Sequence, residues 1–369
     1  MNAFGRYNIT VLGSMALAAS VLFSVAIYMR PLDGDLTRVG GYLENDFGWN
    51  VPQDSFEQPQ FMLAKSIGDY DKHYDVVVIG DSYSRRTYTG WQNYFVDLTG
   101  LSLITLDIQN VSIWDIIKSP TFLASPPFLV ICSSVEWGLW LRNSQCAKAE
   151  GTGKNDGMKN ILSTPVSPLH RKTVKNYPKH ESFLERKISL DAAASYILKS
   201  SARNIFGINV SKAEKFALNR KELFSNKGNV FLLVSEEDLW MRDFSEDKID
   251  IIKCNLLKMQ NKVQSNNHTR FMVMVVPDKL TAYSNYLVDK KYASSGITDR
   301  LAEDQELMIP RVDMAIKQAI DRGVEDVYLP NDIHWGSEGY RIGAEAVCGF
   351  LVMRGILQPF DASSGFNQH

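Results

Sequence analysis

The sequence predicts an α/β sandwich built round a mainly parallel sheet and preceded by one membrane-spanning helix. Three observations predict it. Short apolar runs at 75–79, 103–108, 128–132 and 270–276 have the length and character of buried strands. Helix-period segments separate several of them, the alternation that a parallel sheet requires. An uncharged run from Ile9 to Met29 precedes everything else and is long enough, at about 1.5 Å per residue, to cross a bilayer core.

That N-terminal run is read as an uncleaved anchor within residues 1–30, because its apolar stretch is longer than a signal peptide's usual ~7–15 residues. A cleaved signal is the alternative, with Ser24 and Ala26 as small residues near its end. Residues 31–74 form a lead-in or cap punctuated by Gly, Asp and Pro, and Phe47 and Trp49 in its middle mark it as ordered. The first strand, Asp75 to Ile79, ends in Gly80-Asp81-Ser82, and an amphipathic helix with Trp91, Tyr94 and Leu98 follows. Further strands are expected at Leu103–Ile108, Phe128–Cys132, Arg270–Val276 and Val324–Leu329. Helices are expected over Ser112–Lys118, Ser245–Gln264, Asp304–Arg322 and Ser337–Arg354, the last closed by Gly355. The main domain therefore runs over 75–358, and 359–369 is a tail. From Leu139 to His180 the chain carries eight Lys and Arg residues against Glu150 and Asp156. This basic insertion is either a solvated loop or a patch for an anionic glycan or lipid headgroups.

Composition excludes several classes of protein. With 369 residues, 45% hydrophobic, the chain can bury a full core. Lys+Arg 40 against Asp+Glu 42 leaves a net charge of −2, without the basic excess of a dedicated nucleic-acid binder. The four cysteines form no CxxC pair, no His/Cys cluster has ligand spacing, and no GxGxxG or P-loop follows a strand. No metal and no cofactor are therefore expected. Cys146, Cys254 and Cys348 are candidates for a disulfide, and Cys132, inside an apolar strand, is expected to be a buried thiol.

Two motifs carry chemistry. Gly80-Asp81-Ser82 puts a serine at the carboxyl end of the first parallel strand, where α/β proteins place their ligands. The glycine permits a sharp turn, and helix N–H groups would favour the charge that develops as Ser82 attacks a carbonyl. Alone, the same serine would serve as a helix cap. Asp332-Ile333-His334-Trp335 puts a carboxylate and an imidazole on one loop before the closing helix. His334 would take the serine proton as general base and return it as acid, while Asp332 fixes its tautomer.

Together these motifs resemble the SGNH (GDSL-like) hydrolase superfamily over roughly 75–355. With Gly339, Asn45-Asp46-Phe47-Gly48-Trp49-Asn50 and Val276-Pro277-Asp278-Lys279, they resemble more narrowly the membrane-anchored polysaccharide O-acetyltransferases related to the alginate acetylation proteins. The order, Ser82 before Asp332 and His334, is that of ordinary SGNH enzymes and of the teichoic-acid D-alanylation protein. The resemblance implies an SGNH-like three-layer sandwich, a Ser82–His334–Asp332 triad, and O-acetyl transfer to a cell-surface or exported polysaccharide through an acyl-serine. It implies a location on the extracytoplasmic, periplasmic side of the inner membrane, and a membrane-bound O-acyltransferase as partner supplying the acyl group. A carbohydrate esterase or deacetylase with the same triad is the alternative, and a glycan-binding subunit without turnover is the third reading. The Ser82 backbone N–H and the Asn110 amide are the candidate oxyanion donors, with Gln109 as a neighbour. Glu136, Trp137, Lys279 and Tyr283 are candidates to line a sugar site, though each also fits a surface residue; Trp335 would touch substrate or pack beneath the Asp332–His334 loop.

Overall fold

The computed structural model describes residues 3–29, 34–143, 173–176 and 188–358, apart from 241, 243, 293 and 304. Its strands in chain order are β1 (Gln53–Phe56), β2 (Met62–Ala64), β3 (Val76–Gly80), β4 (Leu103–Asp107), β5 (Leu129–Val135), β6 (Thr173–Asn176), β7 (Ala213–Ala217), β8 (Phe231–Ser235) and β9 (Arg270–Val276). Five of them form the central sheet in the order β2-β4-β3-β5-β9, and every pairing in it is parallel. Its carboxyl ends therefore share one edge, and Ser82, Asn110, Glu136 and Lys279 all follow strands that end there.

Strands β3, β4 and β5 are buried along their whole length, so they read as continuous apolar runs rather than as alternation. The pleat still sorts their side chains to two faces. Val76, Val78, Ile131 and Met272 join one core with the Trp91–Thr99, Val312–Asp321 and Ser337–Met353 helices. Val77, Ile79, Val130 and Val273 join a second core with the Ile113–Lys118 and Glu246–Val263 helices. The result is the mixed α/β, three-layer arrangement that the sequence predicts.

Three expected elements differ. Val324–Leu329 is no sheet strand: Gly323 and Asp326 take φ of 89° and 50°, and only an isolated bridge joins Tyr328 to Trp335. The Asp304–Arg322 helix shrinks to Val312–Asp321, because Pro310 lacks an N–H and clashes with a preceding turn. Ser82 opens a single 3-10 turn, Ser82–Ser84, and the α-helix begins only at Trp91, so the full helix dipole does not point at the serine. Two antiparallel pairs, β1-β6 and β7-β8, and the Leu190–Phe206 helix were not among the expected elements.

The N-terminal helix is Ala3–Tyr28, long and apolar enough to be a membrane span or a signal sequence. After it, short helices Asp35–Gly40 and Glu44–Phe47 build a small core from Leu36, Tyr42 and Phe47 against Ala213 and Leu233, with Ile333 packed on it. Most of the basic insertion, 144–172 and 177–180, lies outside the described residues, as does the tail 359–369. Leu139–Asn143 ends the Glu136–Asn143 helix, and Thr173–Asn176 pairs with β1. Cys132 is a free, buried thiol as expected, and Cys254 is disulfide-bonded. Cys348 is also free and buried in the Ser337–Met353 helix, which corrects its candidacy for a bridge; Cys146 lies outside the described residues.

Candidate active site

The turn that carries Ser82 is pinned from three sides. A Cβ on Gly80 would stand 2.4 Å from Ser84 Oγ and 2.5 Å from Ser84 Cβ, so close packing of the turn requires glycine there. The buried Asp81 carboxylate accepts the Tyr83 N–H at 3.1 Å and, across the sheet edge, the Val135 N–H at 2.8 Å. Arg142 completes its shell at 3.3 Å. Asp81 thus locks the turn to β5 and leaves Ser82, half-buried, at the edge of the sheet.

The Asp332–His334 loop is equally constrained. Asp332 Oδ1 accepts the His334 backbone N–H at 3.0 Å and lies 2.7 Å from His334 Nδ1. Burial pushes the Asp332 carboxyl upward, but the hydrogen bonds and charge of His334, with Arg86, outweigh it and hold the group well below the usual carboxylate range. With the Nδ1 proton directed at it, the ionised Asp332 accepts a hydrogen bond from the ring. Arg86 Nη2 lies 2.8 Å from Nδ1 and 3.7 Å from Asp332 Oδ2; it can donate to the ring only in the other tautomer, and in this one it serves as a charge beside the carboxylate. In the neutral ring this tautomer leaves His334 Nε2 as an acceptor, and that atom is buried without a hydrogen-bond partner.

Tyr83 joins the two motifs. Its hydroxyl donates to the Ile333 carbonyl, and its ring centroid is 5.0 Å from that of His334. The residue next to Ser82 therefore holds the loop that carries the imidazole, although no hydrogen bond joins Ser82 to Nε2.

The remaining expected site residues divide by burial. Lys279 is fully buried, and its Nζ donates to the carbonyls of Leu329, Pro330 and Asp332 at 2.8, 3.0 and 3.0 Å. Burial pushes its ammonium down to about 7, opposed by Asp332, Asp238 and Asp326. Three carbonyl acceptors match the three donors that only the ammonium offers. Lys279 is thus a staple under the Asp332 loop, not a sugar contact. Tyr283 is fully buried in the core beside Tyr328, their centroids 6.0 Å apart.

Glu136 is buried too, accepting from Thr281 Oγ1 at 2.8 Å, and burial followed by the Asp278 charge pushes its carboxyl well up. Asp278 pairs with Arg242 at 3.1 Å. These residues brace the sheet edge, which corrects the expectation that Glu136 and Tyr283 line a sugar site. Trp137 is half-buried against the same core. Trp335 is 1% exposed and packs edge-on against Tyr83, Tyr328 and Tyr340, so its packing role holds. Asn110 is exposed past β4; the Gln109 and Asn110 backbone N–H groups are both taken by Asp107, so its side-chain amide is the donor it offers.

Sequence reasoning missed Arg86, Tyr83, Asp81 and Asp35. Nothing in their spacing marks the first two. Asp35, from the lead-in, brings a carboxylate within 4.8 Å of ligand atoms of Asp332 and His334. Such a trio could hold a cation, but the Arg86 guanidinium already brings positive charge to that face.

A parallel sheet with a serine on the turn after β3, and an Asp-x-His loop before the last helix, is the arrangement of the SGNH class. Residues 232–360 match the family model described as the SGNH hydrolase-like domain of the acetyltransferase AlgX. Over that stretch the chain resembles the SGNH-like domain of the alginate acetylation proteins, and acyltransferase or esterase chemistry is the activity the match suggests. The matched stretch is a little over a third of the chain; it contains Lys279, Asp332 and His334, while Ser82 precedes it. No curated protein and no solved structure matches the chain.

Proposed function

We propose that the protein is an extracytoplasmic O-acyltransferase, acetyl being the expected group, that modifies an exported polysaccharide through Ser82, His334 and Asp332. The observation that carries this reading is the His334 ring: Nδ1 lies 2.7 Å from an Asp332 carboxylate held ionised, Nε2 is buried and unpartnered, and Tyr83, the residue beside Ser82, donates to the neighbouring Ile333 carbonyl. An unpaired buried nitrogen costs about 1–3 kcal/mol, and a base that must accept a proton keeps such an atom open.

In this mechanism Ser82 Oγ attacks the carbonyl carbon of the donor while Nε2 takes its proton. The oxyanion is met by the Ser82 N–H and the Asn110 amide. Collapse expels the donor's leaving group, which receives the proton from Nε2, and leaves an acyl-serine. A sugar hydroxyl then gives its proton to Nε2 and attacks the acyl carbon, releasing Ser82 with the proton returned. A membrane-bound O-acyltransferase supplies the donor, and the apolar N-terminal helix keeps the domain at the inner membrane, facing the periplasm.

The test is full-length protein in detergent, with an activated acetyl ester and a panel of oligosaccharides, read by mass spectrometry beside Ser82→Ala. Acetylated sugar that disappears in Ser82→Ala supports transfer. Serine-dependent free acetate without acetylated sugar under every acceptor condition would make the protein an esterase. Neither turnover nor acyl-serine would leave a glycan-binding subunit.

A further inference from the structure

The Leu190–Phe206 helix exposes what a soluble helix would bury. Leu198, Ile205 and Phe206 are 68%, 71% and 69% exposed, and Ile208 and Val210 continue the patch beyond the helix end. At 100° per residue, Leu190, Ala194, Leu198 and Ile205 fall with Ser201 within an arc of about 80°, and Phe206 follows about 80° further round. Much of the opposite side is occupied. Lys199 donates to the Val39 carbonyl at 2.7 Å, and Arg203 donates to the carbonyls of Gly40 and Gly41. Ala193 and Tyr196 face the N-terminal helix, in one cluster with Leu22, Val25, Ala26 and Met29.

That last contact sets the depth. Leu22 lies six residues, or about 9 Å of helix, inside the end of the Ala3–Tyr28 span. An element packed in that cluster sits at the level of the headgroup–acyl boundary, where amphipathic helices bury their apolar faces by about 5–10 Å. A groove beside the helix is lined by Arg38, Lys199 and Lys212 together with Asp191, an excess of cations of the kind that lipid phosphates attract.

We propose that the Leu190–Phe206 helix lies in the surface of the bilayer that the N-terminal helix spans, with Leu198, Ile205 and Phe206 in contact with acyl chains. The proposal rests on the anchored reading above. It makes the helix a second membrane contact that fixes the tilt of the domain, which a single flexible anchor could not do. The bilayer is the occupant favoured over a second copy or another protein, because the helix packs directly on the end of the apolar span through Ala193 and Tyr196.

The test uses the full chain in phosphatidylcholine vesicles, with an environment-sensitive thiol label at Leu198→Cys, Ile205→Cys, Val21→Cys in the span, or Leu123→Cys at the amino edge of the sheet. The unsubstituted chain gives the labelling background. Lipids brominated on the upper acyl chain are expected to lower emission at Leu198→Cys and Ile205→Cys at least twofold, as at Val21→Cys, and to leave Leu123→Cys unchanged. Quenching at Val21→Cys with Leu198→Cys and Ile205→Cys behaving like Leu123→Cys would overturn the proposal and leave the anchor standing. No quenching at Val21→Cys would overturn the anchored reading, and the proposal with it.

Discussion

At the scale of single residues, the proposed function makes the candidate site a proton path held by neighbours that do no chemistry themselves. Ser82→Ala and His334→Ala are each expected to lower kcat by at least about 10³-fold. Ser82→Ala should melt close to the parent, whereas His334→Ala removes a buried ring from Asp332 and Tyr83 and should melt lower, so its activity is read per folded molecule. Unfolding with unchanged activity per folded molecule would remove both residues from the mechanism. Lys279 acts one step away, through the carbonyls it ties together. Lys279→Met leaves three acceptors unsatisfied, a cost of about 1–3 kcal/mol in denaturant melts. It should lower kcat at least tenfold with little change in KM, and Lys279→Arg should restore part of kcat. A loss confined to KM would return Lys279 to the substrate site.

At the scale of elements, the sheet and its turns account for what was legible in the sequence. Strands β3, β4, β5 and β9 were visible because burial on both faces makes them unbroken apolar runs. The Val324–Leu329 segment is not such a run: Glu325 and Asp326 interrupt it, and the backbone turns left-handed at Asp326 on its way to the Asp332 loop. Ser82, Asp332 and His334 were readable because chemistry limits their residue types. Arg86 and Tyr83 were not, because their roles exist only once β3 and the last loop meet.

Lys279 and Glu136 were misread for a related reason: a charged residue at a strand end looks like a ligand contact until its burial is known. Gly80→Ala tests the turn directly. Its methyl would collide with Ser84, so a loss of about 1–3 kcal/mol and of activity is expected from paired denaturation and turnover assays.

The buried acids on neighbouring elements give a pH signature. Burial, then the Asp278 charge, pushes Asp238 up to about 8, far above its value of about 3.9 in an unfolded chain. A raised folded value means that the native state holds a proton that the unfolded state releases. The stability it confers is full below about pH 4 and fades as pH rises through about 8. Urea melts should therefore show the parent losing stability against Asp238→Asn across that window, and parallel curves would refute the assignment.

At the scale of the whole molecule, the N-terminal helix, the Leu190–Phe206 helix, the lead-in and the Asp332 loop form one continuous series of contacts. If the first helix is an uncleaved anchor, full-length protein should stay in the membrane pellet after an alkaline carbonate wash, and its intact mass should include residues 1–30. A mature chain beginning after Ala26 would identify a cleaved signal instead.

The hydrogen bond from Leu36 N–H to the Asn331 carbonyl, 3.1 Å long, has a consequence for where the chemistry happens. Only six residues separate Tyr28 from Asp35, seven steps along the chain and a tether of at most about 25 Å when fully extended. Asp35 itself reaches within 4.8 Å of the acid–base pair. On the anchored reading the site cannot roam; it stays within about 25 Å of the end of the span. If the proposed acetyl transfer to an exported polysaccharide holds, the polymer would be modified while it is still leaving the membrane, and acetylation should follow the order of export rather than the concentration of finished chains.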